Sequence, residues 1–174
     1  VQSQADAPLQ WLSIQGNGSL DPTRDLDNEA WGVIEIGHYT TDFALSDRGA
    51  MMEYAAVSCA GMYLVYDGMS SLMAQAQLPT SLDIVDSALR AGTIKLFGSP
   101  VDVSHLVSQA RAGFEAVVMD EAERVFSQKA ALLEGILIGG GGAELLFAGL
   151  KQRYPNAVCC DEPRMMVAEG FCRL

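Results

Sequence analysis

Positive charge is scarce in this chain. Eleven Lys and Arg stand against 22 Asp and Glu, for a net charge of -11, and no run of basic residues occurs. That excludes direct binding of nucleic acid through its phosphates and leaves a solvated acidic surface. Long apolar runs are also missing. None reaches the roughly 18 to 20 residues of a membrane span, and no basic start leads into an apolar segment, so neither a membrane helix nor a signal peptide is expected. Histidine is limited to two residues and cysteine to four, Cys59, Cys159, Cys160 and Cys172. Without CxxC pairs or His at zinc spacing, a structural metal site is excluded. The cysteines read as buried free thiols of a reducing compartment, which points to the cytoplasm.

What remains is enough for one domain with a core: 174 residues, 49% of them hydrophobic. Residues 1–30 are polar, with turn signals at Asn17-Gly18 and Asp21-Pro22, and read as an N-terminal extension and loop. Val33–Ile36, Thr41–Leu45 and Met51–Val57 read as three strands of an antiparallel meander, the second turn being Asp47-Arg48-Gly49. Gly61–Gln77 has apolar residues at helical spacing, and Pro79 ends it. A capped helix over 82–91 and a small hairpin around Gly98-Ser99-Pro100 follow. Ser104–Lys129 is a long amphipathic helix. Then come a buried strand at Ile136–Ile138, four glycines, a helix over 143–153, a strand at 157–160 and a last helix from Pro163. This order predicts an α/β fold with a mixed, five-stranded sheet and flanking helices.

Two glycine-bearing loops stand out. Gly139, Gly140, Gly141 and Gly142 lie at the carboxyl end of a strand and open a helix, where ligands of open α/β sheets sit. Glycine there lets backbone approach a ligand closely, and the helix start offers free N–H groups. A tight strand-to-helix turn would need the same residues. The second loop lies between Glu35 and Asp42. Gly37 permits close approach, and the Thr40 and Thr41 hydroxyls with nearby N–H groups suit phosphate oxygens. Carboxylates flanking such a cradle make sense if a magnesium ion with its water shell lies between. An ordinary turn whose threonines satisfy local backbone remains the other reading. His38 is read as a solvated or stacking side chain of that loop, not as a catalytic base.

At these residues the sequence resembles a known superfamily. "VIEIGHYTTDFAL" is similar to the second phosphate motif of the actin, sugar-kinase and heat-shock chaperone ATPases, and "ILIGGGGAELL" to their adenosine motif. The Gly-x-x-Thr-Thr-Asp-Phe wording and the closing "YPNAVCCDEPRMMVAEGF" look most like plasmid-segregation actins of the ParM type. The resemblance implies a ribonuclease H-like, actin-like lobe over 31–77 and 104–174, with a small subdomain inserted at 78–103. It implies ATP and magnesium as ligands. Glu35 and Asp42 would be catalytic, with Glu35 reaching the metal through water. Gly37, His38, Thr40 and Thr41 would contact phosphate, and Gly139 to Gly142 the adenosine.

The first phosphate motif, Asp-x-Gly on a leading strand, has no counterpart; Asp47-Arg48-Gly49 falls in a hairpin turn. The chain therefore resembles the C-terminal lobe only, inactive alone, with an N-terminal lobe as its missing partner. For the whole protein the resemblance implies self-association into filaments and plasmid or mobile-element DNA segregation through a DNA-binding adaptor. A non-hydrolysing scaffold and a small-molecule kinase of the same superfamily are the alternatives. Two departures bear on activity. Glu35 replaces the usual Asp, moving the carboxylate by about 1.5 Å where magnesium tolerates little departure from octahedral geometry. His38 and Tyr39 replace small residues.

Overall fold

A computed structural model describes residues 7–173. A mixed sheet is flanked by helices on both faces. In chain order the elements begin with α1 (Ala7–Ser13), β1 (Ala30–Ile36), β2 (Thr40–Asp47), β3 (Ala50–Met51), a 3-10 turn at Glu53–Ala55 and β4 (Val57–Ala60). Next come α2 (Tyr63–Gln75), α3 (Leu82–Ala91), β5 (Thr93–Leu96), β6 (Ser99–Asp102) and α4 (Ser104–Phe126). After a 3-10 stretch at Ser127–Leu132 follow β7 (Gly135–Gly139), α5 (Ala143–Arg153), β8 (Ala157–Cys159) and α6 (Met166–Cys172).

The main sheet runs β3-β2-β1-β7-β8, with β4 also paired to β2. β1 and β2 are antiparallel, whereas β1, β7 and β8 are mutually parallel. The main sheet therefore has six strands among the described residues, where the sequence predicted five, and β5 and β6 pair separately. The expected third strand is broken by the 3-10 turn, so β3 and β4 share one edge of β2. The turn drives Ala55 into the core and changes the chain's direction between the two short strands. A helix at Ala7–Ser13, inside the expected polar extension, is a further difference from the sequence reading.

Alternation explains the layering. Ile34, Ile36, Phe43, Leu45, Ile136 and Ile138 point to one face, where they meet α2, α4 and α5 in the main core. Trp31, Val33, Ala44 and Leu137 point to the other, with Leu9 of α1. α1 packs against α6, and Met166 of α6 lies over Gly139 on that second face. α3 and the β5–β6 hairpin contribute Val85, Ala88, Leu89 and Ile94 to the main core.

One register sets the stage for the loops. Glu35, near the carboxyl end of β1, lies beside Gly139, at the carboxyl end of β7. The Glu35–Asp42 hairpin and the glycine loop are brought to the same edge of the sheet.

Candidate nucleotide site

The hairpin tip is asymmetric in its use of backbone groups. Gly37 N–H donates to Thr40 O at 2.8 Å and closes the turn. The carbonyls of Gly37, His38 and Tyr39 accept from Met62, Tyr63 and Gly61, at 3.0, 2.9 and 3.0 Å. The start of α2 thus spends its free N–H groups on the tip. Three carbonyls are turned inward, while the His38 and Tyr39 N–H groups have no acceptor among the described residues. Successive free amides of this kind form an anion-binding concavity. Gly61, which sequence reasoning passed over, makes the clamp possible. A Cβ there would stand 2.6 Å from Thr40 N and 2.7 Å from the Gly37 and His38 carbonyl oxygens. At Gly37 a Cβ would come within 2.9 Å of Thr40 O.

Glu35 and Asp42 are direct cross-strand partners and share a face. Burial, and then the neighbouring Asp42 charge, push the Glu35 carboxyl above its ordinary value. Asp42 accepts from Thr40 Oγ1 at 2.9 Å through one oxygen and from the Ser58 hydroxyl through the other. Thr41 is placed differently. It is fully buried on the opposite face, and its hydroxyl donates to Ala60 O at 3.1 Å, tying β4 to β2. Thr40 stays exposed beside the carboxylates. His38 stacks edge-on against Tyr39 and Tyr66, with ring centroids 4.6 and 5.9 Å away.

The four glycines divide into distinct tasks. A Cβ on Gly139 would strike Met166 at 1.9 Å. Gly140 has φ +85, and its Cβ would lie 2.4 Å from Ile36 O. Its N–H donates to Pro163 O at 2.8 Å. Gly142 donates to Ile36 O at 3.0 Å, and its Cβ would meet the Ile36 side chain at 2.3 Å. Gly140 and Gly142 hold the start of α5 tight against β1, and Gly139 makes room for α6. Gly141 alone faces open space. It lines a cavity of about 400 Å³ with Met62 at the cap of α2, Tyr66 of α2, Arg90 of α3, Arg111 of α4 and Arg164. Three arginines and one carboxylate, Glu144, line the cavity, a local concentration of positive charge in an acidic chain. Arg90 pairs with Asp86 at 2.8 Å, and Tyr66 donates to the same carboxylate at 2.9 Å. None of the cavity's arginines was singled out by the sequence, because the lining comes from five separate segments and forms no motif.

The C-terminal domain model of archaeal MreB-like actin homologues matches residues 33–152. Among solved structures, the archaeal actin homologue Ta0583 superposes with a TM-score of 0.81 at 14% identity, over 98% of this chain and 54% of that one. A 15-stranded ParM filament from Clostridium botulinum gives 0.76 at 20% identity, over 90% and 49%. A non-polymerisable quadruple mutant of pCBH ParM gives 0.74 at 21%, over 83% and 46%. The chain spans about half the length of these structures. No curated protein sequence matches it.

Proposed function

Because the chain belongs to the family of archaeal MreB-like actin homologues and forms its C-terminal lobe, we propose that it holds one side of Mg·ATP in an actin-like ATPase. The hairpin tip carries this reading: its carbonyls are turned in and its amides left free, beside a glycine loop at the same sheet edge. The residues suit the ligand. Free amides at His38 and Tyr39 match a phosphate oxygen, and the Thr40 hydroxyl lies next to them. Gly141 opens onto a cavity with room for the nucleoside end and arginine side chains able to stack on or donate to a base. Magnesium, when bound, supplies charge neutralisation on the phosphates and an ordered water shell.

Each residue's part follows from its placement. Glu35 and Asp42, on one rung of the sheet, would hold and orient that water shell as hydrogen-bond acceptors. The tip amides would donate to a phosphate, and the α2 clamp keeps the tip from yielding. Thr41 serves by fixing β4, not by touching phosphate. Phosphoryl transfer to water asks for positioning and charge stabilisation more than covalent chemistry, and these groups provide both from one side. The other side belongs to a first lobe. Two structural neighbours are a ParM filament and the Alp12 filament. Self-association into filaments, in a cytoplasmic DNA-segregation role with a DNA-binding adaptor, extends the same reading.

The test is Glu35→Gln with both lobes present. ATP turnover should fall by about a hundredfold while the fold stays intact. Turnover within about twofold of wild type would take Glu35 out of the site, and a wild type without turnover would favour a non-hydrolysing scaffold.

A further inference from the structure

We infer that Ser58 is a positioning residue for Asp42, fixing its carboxylate on the rung it shares with Glu35; the inference rests on the nucleotide-site reading above. Three strands put these residues on one rung: Glu35 of β1 lies opposite Asp42 of β2, which lies opposite Ser58 of β4. Direct partners in an antiparallel sheet point to the same face. The Ser58 hydroxyl donates to Asp42 Oδ1, and the Thr40 hydroxyl donates to Oδ2 at 2.9 Å. Thr40 sits on the same strand as Asp42, so its bond alone leaves the carboxylate free to swing with that strand's side chains. Ser58 supplies the second fixed point, from a separate strand.

That strand is itself anchored. Thr41 Oγ1 donates to Ala60 O, and Gly61 N–H donates to Tyr39 O. The 3-10 break at Glu53–Ala55 ends one pairing with β2 and lets β4 begin another. A slip of one residue would place Val57 or Cys59 opposite Asp42, with no hydroxyl to offer. Ser58 is exposed and belongs to neither buried cluster, so packing does not account for serine here. Holding both oxygens before the ligand arrives removes reorganisation that a magnesium water shell would otherwise impose.

The experiment uses this chain together with its first lobe. Titration calorimetry measures ATP affinity with magnesium and again with EDTA, for wild type, Ser58→Ala, Ser58→Thr and Asp42→Asn. Ser58→Ala should lose about tenfold of the magnesium-dependent gain in affinity. Its affinity in EDTA should be unchanged, and its melting temperature should stay within about 2 °C. Ser58→Thr, which keeps the hydroxyl, should recover most of the gain. If Asp42→Asn loses the gain while Ser58→Ala keeps it, Ser58 does not position Asp42 and the site reading stands. If Asp42→Asn keeps the gain, the placement of Asp42 at the magnesium shell falls, and this inference falls with it.

Discussion

Alanine at Gly140 and valine at Gly141, neighbours in one loop, are expected to fail in opposite ways. At Gly140 the φ of +85 places any L side chain in the left-handed region, at about 1–2 kcal/mol. The new Cβ would also sit 2.4 Å from Ile36 O and 2.7 Å from Ile36 C and N. These are backbone atoms of a central strand and cannot rotate aside. Relief requires a loop shift of about 1 Å, which breaks the bonds from Gly140 to Pro163 and from Gly142 to Ile36, each worth about 1 kcal/mol. The combined loss is about 3–4 kcal/mol, or about 10 °C in melting temperature for a chain of this size. A Cβ added at Gly141 would meet nothing within 4 Å, and the residue faces the cavity. Valine there should leave the ligand-free melting temperature within about 2 °C. It should cost about 2–3 kcal/mol of ATP binding, or roughly 30- to 150-fold. Scanning calorimetry without nucleotide and titration with ATP in the two-lobed protein read the two quantities separately. Normal ATP affinity in Gly141→Val would remove the nucleoside from this cavity. A Gly140→Ala variant that melts like wild type would refute the steric argument.

Other substitutions probe the remaining parts. Gly61→Ala should unseat the hairpin from α2 and lower stability by about 2–3 kcal/mol, seen as an earlier urea midpoint with an unchanged slope. Thr41→Val should cost about 1 kcal/mol through the lost bond to Ala60 while ATP affinity stays at the wild-type value, since that hydroxyl faces the core. Glu35 gives a pH test. Its folded carboxyl titrates above the ordinary value of 4.5, so its contribution to stability is fully present below that value and is lost as pH rises through the folded value. Without ligand, Glu35→Gln should therefore melt later than wild type at pH 7, and the difference should vanish in acid. An equal difference at both pH values would show that the effect is not titration. The 174-residue chain alone should bind ATP at millimolar strength or weaker, because one face of the ligand stays in water; micromolar affinity by calorimetry would contradict a half-site.

Local patterns carried most of the fold. The helix over 143–153 and the hairpin around Gly98 were legible because periodicity, glycine and proline signals agree there. The run Met51–Val57 looked like one strand because its break comes from tertiary fit, with Ala55 drawn into the core, and no glycine or proline marks it. For Thr40 and Thr41 the deciding signal was present in the sequence. Residues two apart on a strand share a face, so Thr40 goes with Asp42, and Thr41 must point the other way. The glycine run was legible as a close approach, but which glycine faces open space depends on where Ile36, Met62 and Met166 lie. The arginine-lined cavity was out of reach for a similar reason: Arg90, Arg111 and Arg164 meet only after α3, α4 and the segment before α6 have packed.

The peptide unit joining Ile36 to Gly37 fastens both loops. Its carbonyl accepts from Gly142, and its N–H donates to Thr40 O. A peptide is planar, so its two polar atoms keep a fixed opposition. The interval between hairpin and glycine loop is therefore a covalent gauge. β1 is bonded to β2 on one side and to β7 on the other, so nothing can widen that interval without tearing the middle of the sheet. A linear molecule that touches both ends is measured for length by a rigid template, whereas adjustment to shape is left to the arginine side chains beyond Gly141.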